Sequence, residues 1–382
     1  MAIGRHGVLW VAALLAGLAG SALPGDPWIG LGLGAFLAIV GAAIATARPS
    51  WRNLCVSAAT IVLGLWVFET SIVVREALRP AERFEGSYTS QSYFDPDDPV
   101  LGYSARRGVR VESIKRVGDR VVYDVDYTID ASGLRRTAAA PPAAPSEGCV
   151  LFFGCSITFG EGLEDGQTLP WRVAERSGGR WRAFNFGFHG YGPHQMLAQL
   201  ESGRVRQAVG ECAGRQVAVL QYFADHVLRA LGRTDWDTDG PWYVPDGTGG
   251  VRLAGRLDQR PEAGRERAMS RWQPRLAAWL DGRLWPTTTA REREFFVALV
   301  AAARARFLLD YPNGEWHLVL LDAHPDPALV AALERNGVQV HPIAAILTDP
   351  EALEYRMTGD DHPNALYNYR LAAWIVEHVL EH

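Results

Sequence analysis

The chain has 382 residues, enough for two or three structural units, and carries a formal net charge of −5 with a pI near 6.1. That balance gives no sign of a nucleic-acid partner. No His-x-His or His-Glu-x-x-His spacing suggests a metal, four cysteines do not make a disulfide framework, and no cofactor is implied.

Hydrophobic residues are 48% of the whole and the mean hydropathy is −0.05, with the excess gathered at the N-terminal end. Gly7 to Leu23, Trp28 to Ala47 and Leu54 to Val74 are nearly free of charge. The last two are long enough to cross a hydrocarbon core of roughly 30 Å as helices. The first is shorter, and its small-residue tail at Ala19 to Ala22 fits a membrane helix or a signal peptide. Arg5, Arg48 and Arg52 lie on one side of these segments, whereas the first connection carries only Asp26. On either reading the positive-inside rule keeps the N-terminus in the cytoplasm and carries the C-terminal domain across. Arg75, Arg79 and Arg83 oppose this but are accompanied by Glu76, Glu82 and Glu85. Residues 1–78 thus read as a membrane region of three predicted helices, in an inner membrane with the following domain on the periplasmic side.

Residues 79–146 read as a linker and a small β-hairpin module. Val109 to Ile114 and Val121 to Ile129 alternate apolar and polar residues around Val117-Gly118-Asp119, a hairpin signal. Ala138 to Pro145 reads as a short extended linker. The module either packs over a site or acts as a spacer, and spacer is the plainer reading. Nearly all of the 38 basic residues are arginine, Lys115 being the single lysine, which reads as genomic bias rather than function.

Residues 147–382 alternate strand and helix patterns, as a three-layer α/β sandwich with a five-stranded parallel sheet requires. Strands are expected at Cys149 to Phe153, Trp181 to Phe186, Gln216 to Phe223, Trp316 to Leu321 and Val338 to Pro342. Helices are expected near Leu169 to Arg176, Pro193 to Val209, Arg291 to Leu309, Pro327 to Asn336 and Asn364 to Leu380. The regularity fails in an insertion at 232–286, where Trp236, Trp242, Tyr243, Trp272, Trp279 and Trp285 stand among Arg, Asp and Gly. Aromatic faces suit sugar rings and acyl chains, so the insertion reads as a cap, with most rings in its own core and one or two lining a pocket.

Three motifs fall at predicted strand ends. The run Leu151 to Phe153 breaks into Gly154-Cys155-Ser156, Trp181 to Phe186 leads into Asn185-Phe186-Gly187-Phe188-His189-Gly190, and Gly359-Asp360-Asp361-His362-Pro363-Asn364 lies near the C-terminus. A serine hydroxyl attacks only when a base takes its proton and a third group holds that base. Ser156, His362 and Asp360 can fill those roles, with Asp361 as the alternative carboxylate.

On these residues the chain from about Cys149 to His382 resembles the SGNH (GDSL-like) hydrolase superfamily. The resemblance implies an SGNH/flavodoxin-like fold, Ser156 as nucleophile, and an oxyanion hole formed by the N–H groups of Ser156 and Gly190. The family's third block usually reads Gly-x-Asn-Asp, and its Asn donates to the oxyanion. Here the matching stretch is Tyr222-Phe223-Ala224-Asp225, and Ala224 cannot donate. Gln221, Asp225 or His226 is therefore expected to position substrate or support the hole. His189 and His194 flank the glycine motif, and His194 also fits the first turn of a helix.

Cys155, beside Ser156, reads as a small packing residue, and a Cys149 to Cys212 bridge is open in an oxidising compartment. The expected activity is hydrolysis of an extracytoplasmic glycan or lipid ester through an acyl-enzyme. An O-acyltransferase acting on a cell-envelope polysaccharide and a catalytically weak glycan-binding protein are the alternatives. The expected partners are that substrate and the bilayer.

Overall fold

The computed structural model describes residues 27–86, 93–139, 146–265, 273–284 and 288–381. The expected segment Gly7 to Leu23, Trp272, Trp285 and residues 140–145 of the linker lie outside them. The chain divides into two compact units, Met1–Pro80 with Gly264–Thr287, and Ala81–Ala263 with Thr288–His382.

In the first unit α1 (Pro27–Ala45) and α2 (Pro49–Ala77) pack as a helical hairpin joined through Thr46, Ala47 and Arg48. Each begins at a proline, where the missing N–H would have had no helical partner. The Trp66 indole donates to the Ile29 carbonyl at 2.7 Å and ties the two together. Both are long and apolar enough to cross a membrane, and Leu54, Ile61, Leu65 and Val67 point outward rather than into a core. This is compatible with a membrane anchor. Glu69 of α2 is buried and accepts the backbone N–H groups of Arg275 and Leu276 at 2.6 and 2.7 Å. These open the helix Arg275–Leu284, so the carboxylate satisfies donors that a helix start leaves unpaired. Trp279 of that helix meets Phe68 edge-on. The last part of the Trp-rich insertion therefore groups with the apolar helices and not with the α/β domain.

The second unit begins with five short strands, β1 (Glu82–Gly86), β2 (Phe94–Asp98), β3 (Gly102–Ala105), β4 (Val109–Val117) and β5 (Arg120–Ile129). β2 pairs with β3, and β1-β4-β5 form an antiparallel sheet in which the expected hairpin turns at Gly118 and Asp119. The parallel strands β6 (Gly148–Phe153), β7 (Trp181–Asn185), β8 (Arg215–Tyr222), β11 (Glu315–Leu320) and β12 (Gln339–Pro342) follow. An antiparallel pair, β9 (Pro241–Pro245) and β10 (Val251–Arg256), interrupts them as the first part of the insertion. The five-stranded sheet runs β12-β11-β8-β6-β7, every pair parallel. In chain order its strands lie 2-1-3-4-5, the doubly wound arrangement in which the crevice opens beyond the first strand, here β6.

The helices of this unit include α3 (Ser156–Phe159), α4 (Leu169–Arg176), α5 (Pro193–Glu201), α6 (Arg204–Val209), α7 (Asp225–Ala230), α8 (Ala290–Asp310), α9 (Pro327–Arg335) and α10 (Ala365–Ile375), with a single turn at Ile343–Ile346 after β12 and a π-helical turn at Val376–Leu380 after α10. The single helix expected over Pro193 to Val209 is two, because the chain turns through Ser202 and left-handed Gly203. β6 is buried on both faces. Cys149, Leu151 and Phe153 enter the core with α5, α8 and α9, and Val150 and Phe152 enter the core with α4 and α10. A strand covered on both sides has no polar face, which is why it reads as one apolar run.

A disulfide joins Cys149 in β6 to Cys212 in the loop before β8, closing a loop across neighbouring strands. Replacing both cysteines by alanine is expected to lower unfolding stability by about 2–4 kcal/mol in urea titration, since a cross-link over this separation restricts the unfolded chain. A loss below about 1 kcal/mol would show that the bridge adds little.

Candidate active site

β6 ends at Phe153 and the chain turns at Gly154, whose φ is +153°; a Cβ there would lie 2.1 Å from Thr158 Oγ1. Only glycine permits both that backbone and that approach. The turn puts Ser156 at the first position of the one-turn helix α3, where its own N–H has no helical acceptor. Thr158 is locked behind it, its hydroxyl on Gln221 Oε1 at 2.8 Å, and the Asn185 amide donates to the Thr158 carbonyl at 2.9 Å. The end of β7 and the end of β8 thus both fix the turn that presents the serine.

The C-terminal motif meets it from the opposite end of the chain. His362 Nε2 is 2.8 Å from Ser156 Oγ, and His362 Nδ1 is 2.5 Å from Asp360 Oδ1. Asp360 Oδ1 also accepts the backbone N–H of His362 at 2.7 Å, so one oxygen sets both the ring and the turn. Asp361 is exposed. The second oxygen of Asp360 accepts from Lys115 of β4 at 2.7 Å. Burial favours the neutral acid, but the bonds to His362 and Lys115 outweigh it and hold the Asp360 carboxyl well below the usual carboxylate range. For His362, burial pulls the pKa down, while the Asp360 bond and the Glu161 charge pull harder, so the imidazole is more basic than usual.

Glu161, five residues after Ser156, is nearly buried beside this ring. Its Oε2 lies 3.5 Å from His362 Nε2 and 2.8 Å from His189 Nδ1, and Tyr123 of β5 donates to Oε1 at 3.2 Å. Burial raises the Glu161 pKa, but the charge and bond of His189 and the charge of His362 bring it down to about 2, so the group is ionised across the working range. His189 is held in turn by the Tyr93 hydroxyl at 2.6 Å.

The module before β6 is therefore no spacer. It supplies Lys115, Tyr123 and Tyr93, and Arg135 after β5 is buried with its guanidinium on the carbonyls of Gly160 and Leu163 and on Asp165. Arg135 also bridges Ile129 to Asn185 and so carries the antiparallel module onto the β7 edge.

Gly190 follows His189 with φ +71°, and a Cβ there would come within 2.4 Å of the Trp236 indole nitrogen and 2.7 Å of the Tyr103 hydroxyl. Glycine is required by conformation and by space. Among the described residues the N–H groups of Ser156 and Gly190 meet no acceptor. Trp236 of the insertion reaches this loop and is half exposed.

Of the residues expected to replace the missing side-chain donor, Gln221 and His226 are buried and Asp225 is exposed. Gln221 is buried under Thr158. His226 is buried against Tyr222 and Phe223, and desolvation pushes its pKa well below the ordinary value. Asp225 and Ala224 are exposed at the start of α7. His194, like His226, is buried, on Asp237 at 2.8 Å. A cavity of about 560 Å³ lies against Phe186, Gly187 and Phe188, but Ser156 and His362 do not line it. Cys155 is buried, as a packing residue would be.

No protein-family model and no curated protein matches this chain. Among solved structures the chain is similar to an acetyl xylan esterase, Est2A, from the rumen bacterium Butyrivibrio proteoclasticus (9% identity, TM-score 0.36), over 63% of this chain and 65% of that one. It is also similar to LAE5, an α/β hydrolase from a Lake Arreo metagenome (12% identity, TM-score 0.33, 61% and 95% coverage). A third is a protein of Desulfitobacterium hafniense described as lipolytic and of the G-D-S-L family (12% identity, TM-score 0.28, 59% and 94% coverage). At these scores the likeness bears on neither reaction nor substrate.

Proposed function

We propose that the chain is a membrane-anchored serine hydrolase of SGNH type that cleaves an ester through an acyl-enzyme. The observation that carries this reading is the chain of contacts from Asp360 through His362 to Ser156, 2.5 and 2.8 Å long. Ser156 Oγ passes its proton to His362 Nε2 and bonds to the ester carbonyl carbon, whose π pair moves onto oxygen. The N–H groups of Ser156 and Gly190 donate to that oxyanion. As the intermediate collapses, the ester C–O bond breaks and His362 protonates the leaving alkoxide. Water, deprotonated by the same nitrogen, then bonds to the acyl carbon, and as that second intermediate collapses the acyl–Oγ bond breaks, the acid leaves and His362 returns the proton to Ser156 Oγ. With no side-chain donor at Ala224 the hole is one donor short of the family pattern, which at about 3 kcal/mol per donor favours modest turnover.

The substrate is an ester of an extracytoplasmic glycan or lipid, and the hydrolase domain lies on the periplasmic side. The arginine bias around the apolar segments and the Cys149–Cys212 bridge support that side. The test is detergent-solubilised protein with a short p-nitrophenyl ester and a fluorophosphonate probe. Hydrolysis with labelling at Ser156 is expected; labelling without hydrolysis would direct attention to an acceptor other than water, and absence of both would overturn the reading. For topology, a phosphatase fused after His382 should be active, and a bright cytoplasmic fluorescent reporter at that point would invert the orientation.

A further inference from the structure

The site described above contains two carboxylates on one imidazole, and an Asp-His-Ser relay requires only one. Resting on the serine-hydrolase reading, we propose that Glu161 is a positioning residue that stabilises the protonated His362 from the side of its reacting nitrogen. Asp360 binds Nδ1, 2.5 Å away, and Glu161 stands 3.5 Å from Nε2, the nitrogen that faces Ser156 Oγ. When Ser156 gives up its proton, the new N–H and its positive charge arise at Nε2, within reach of the Glu161 carboxylate. A fixed anion there interacts more strongly with the charged ring than with the neutral one, so it lowers the energy of the state in which the proton has moved.

The surrounding residues keep that carboxylate ionised and in place. His189 Nδ1 and the Tyr123 hydroxyl hold its two oxygens, and the Tyr127 ring lies in the same buried shell. Facing the His362 ring, the charged groups are Asp360, Glu161 and, through Asp360, Lys115. Lys115 opposes protonation, so the two carboxylates set the sign. The same loop links the device to the oxyanion site, because His189 immediately precedes Gly190 and the Tyr103 hydroxyl donates to the His189 carbonyl at 2.8 Å.

The experiment is an NMR titration of the His362 ring in full-length, detergent-solubilised protein with labelled histidine, for wild type, Glu161→Gln and Glu161→Asp. Removing the negative charge destabilises the imidazolium, so Glu161→Gln should lower the His362 pKa by about one unit or more, whereas Glu161→Asp should retain most of the elevation. In parallel the acid limb of kcat/KM should move to lower pH in Glu161→Gln, with the plateau falling by about tenfold or more. A His362 pKa unchanged in Glu161→Gln would overturn the proposal, as would an equal fall in Glu161→Asp. The titration needs no turnover. A protein that fails to label at Ser156 but shows the pKa shift would sink the hydrolase reading and leave the coupling standing.

Discussion

Ser156→Ala and His362→Ala are each expected to reduce ester turnover by roughly four orders of magnitude or more, with the thermal melt unchanged. Nucleophile and base act as one unit, so loss of either removes nearly all of what the unit contributes. Neither side chain anchors the fold, since both stand at the surface of a turn fixed by Thr158, Asn185 and the Asp360 turn. Asp360→Asn should follow closely behind, because an amide cannot hold the ring in the same tautomer against a forming imidazolium. Asp361→Asn should leave turnover near wild type, its side chain being exposed. A Ser156→Ala enzyme retaining more than about a tenth of wild-type kcat would end the triad assignment.

The second large effect is on stability. Arg135→Leu is expected to cost about 3–5 kcal/mol in chemical unfolding, the range for removing one partner of a buried charged network. The guanidinium is fully buried, pairs with Asp165 at 3.1 Å, donates to the carbonyls of Gly160 and Leu163 at 2.9 and 2.6 Å, and lies over the Tyr127 and Phe159 rings at 4.2 and 4.8 Å. Leucine replaces only part of the apolar stem and leaves those carbonyls without donors. The segment it secures, Gly160 to Leu163, contains Glu161, so surviving folded protein should also lose activity. A change under about 1 kcal/mol would show that water replaces the arginine without penalty.

The parallel sheet was legible because its strands are short, mainly apolar runs alternating with helical patterns, two of them, β6 and β7, running into glycine at the crevice, and the observed limits of all five lie within a residue of those expected. The Ser, Asp and His positions were legible for the same reason: a turn that must present a side chain leaves glycine and a fixed spacing behind. What the sequence hid were the contacts made across long separations. Lys115 and Asp360 are 245 residues apart, and nothing in either neighbourhood names the other. A signal did exist, since the chain's single lysine among arginines stands where a compact ammonium must reach one carboxylate oxygen. Glu161 was hidden differently, by sitting in a glycine-rich turn where acids are ordinary. The burial of Gln221 near the end of β8 and of His226 in the first turn of α7 was hidden as well, because sequence alone does not say which side chains around a strand end are covered.

The bridge that Arg135 makes between Ile129 and Asn185 has one more consequence. β7 is the outermost strand of the parallel sheet on that side, and an uncovered outer strand is a template for pairing with another molecule. A fragment begun at Glu147, although it would contain Ser156, Asp360 and His362, would bare that edge and remove the cation from Asp360 together with the tyrosines that hold Glu161 and His189. Such a fragment should self-associate and be inactive. A fragment that keeps these contacts must start upstream of Tyr93, the first of the residues that make them.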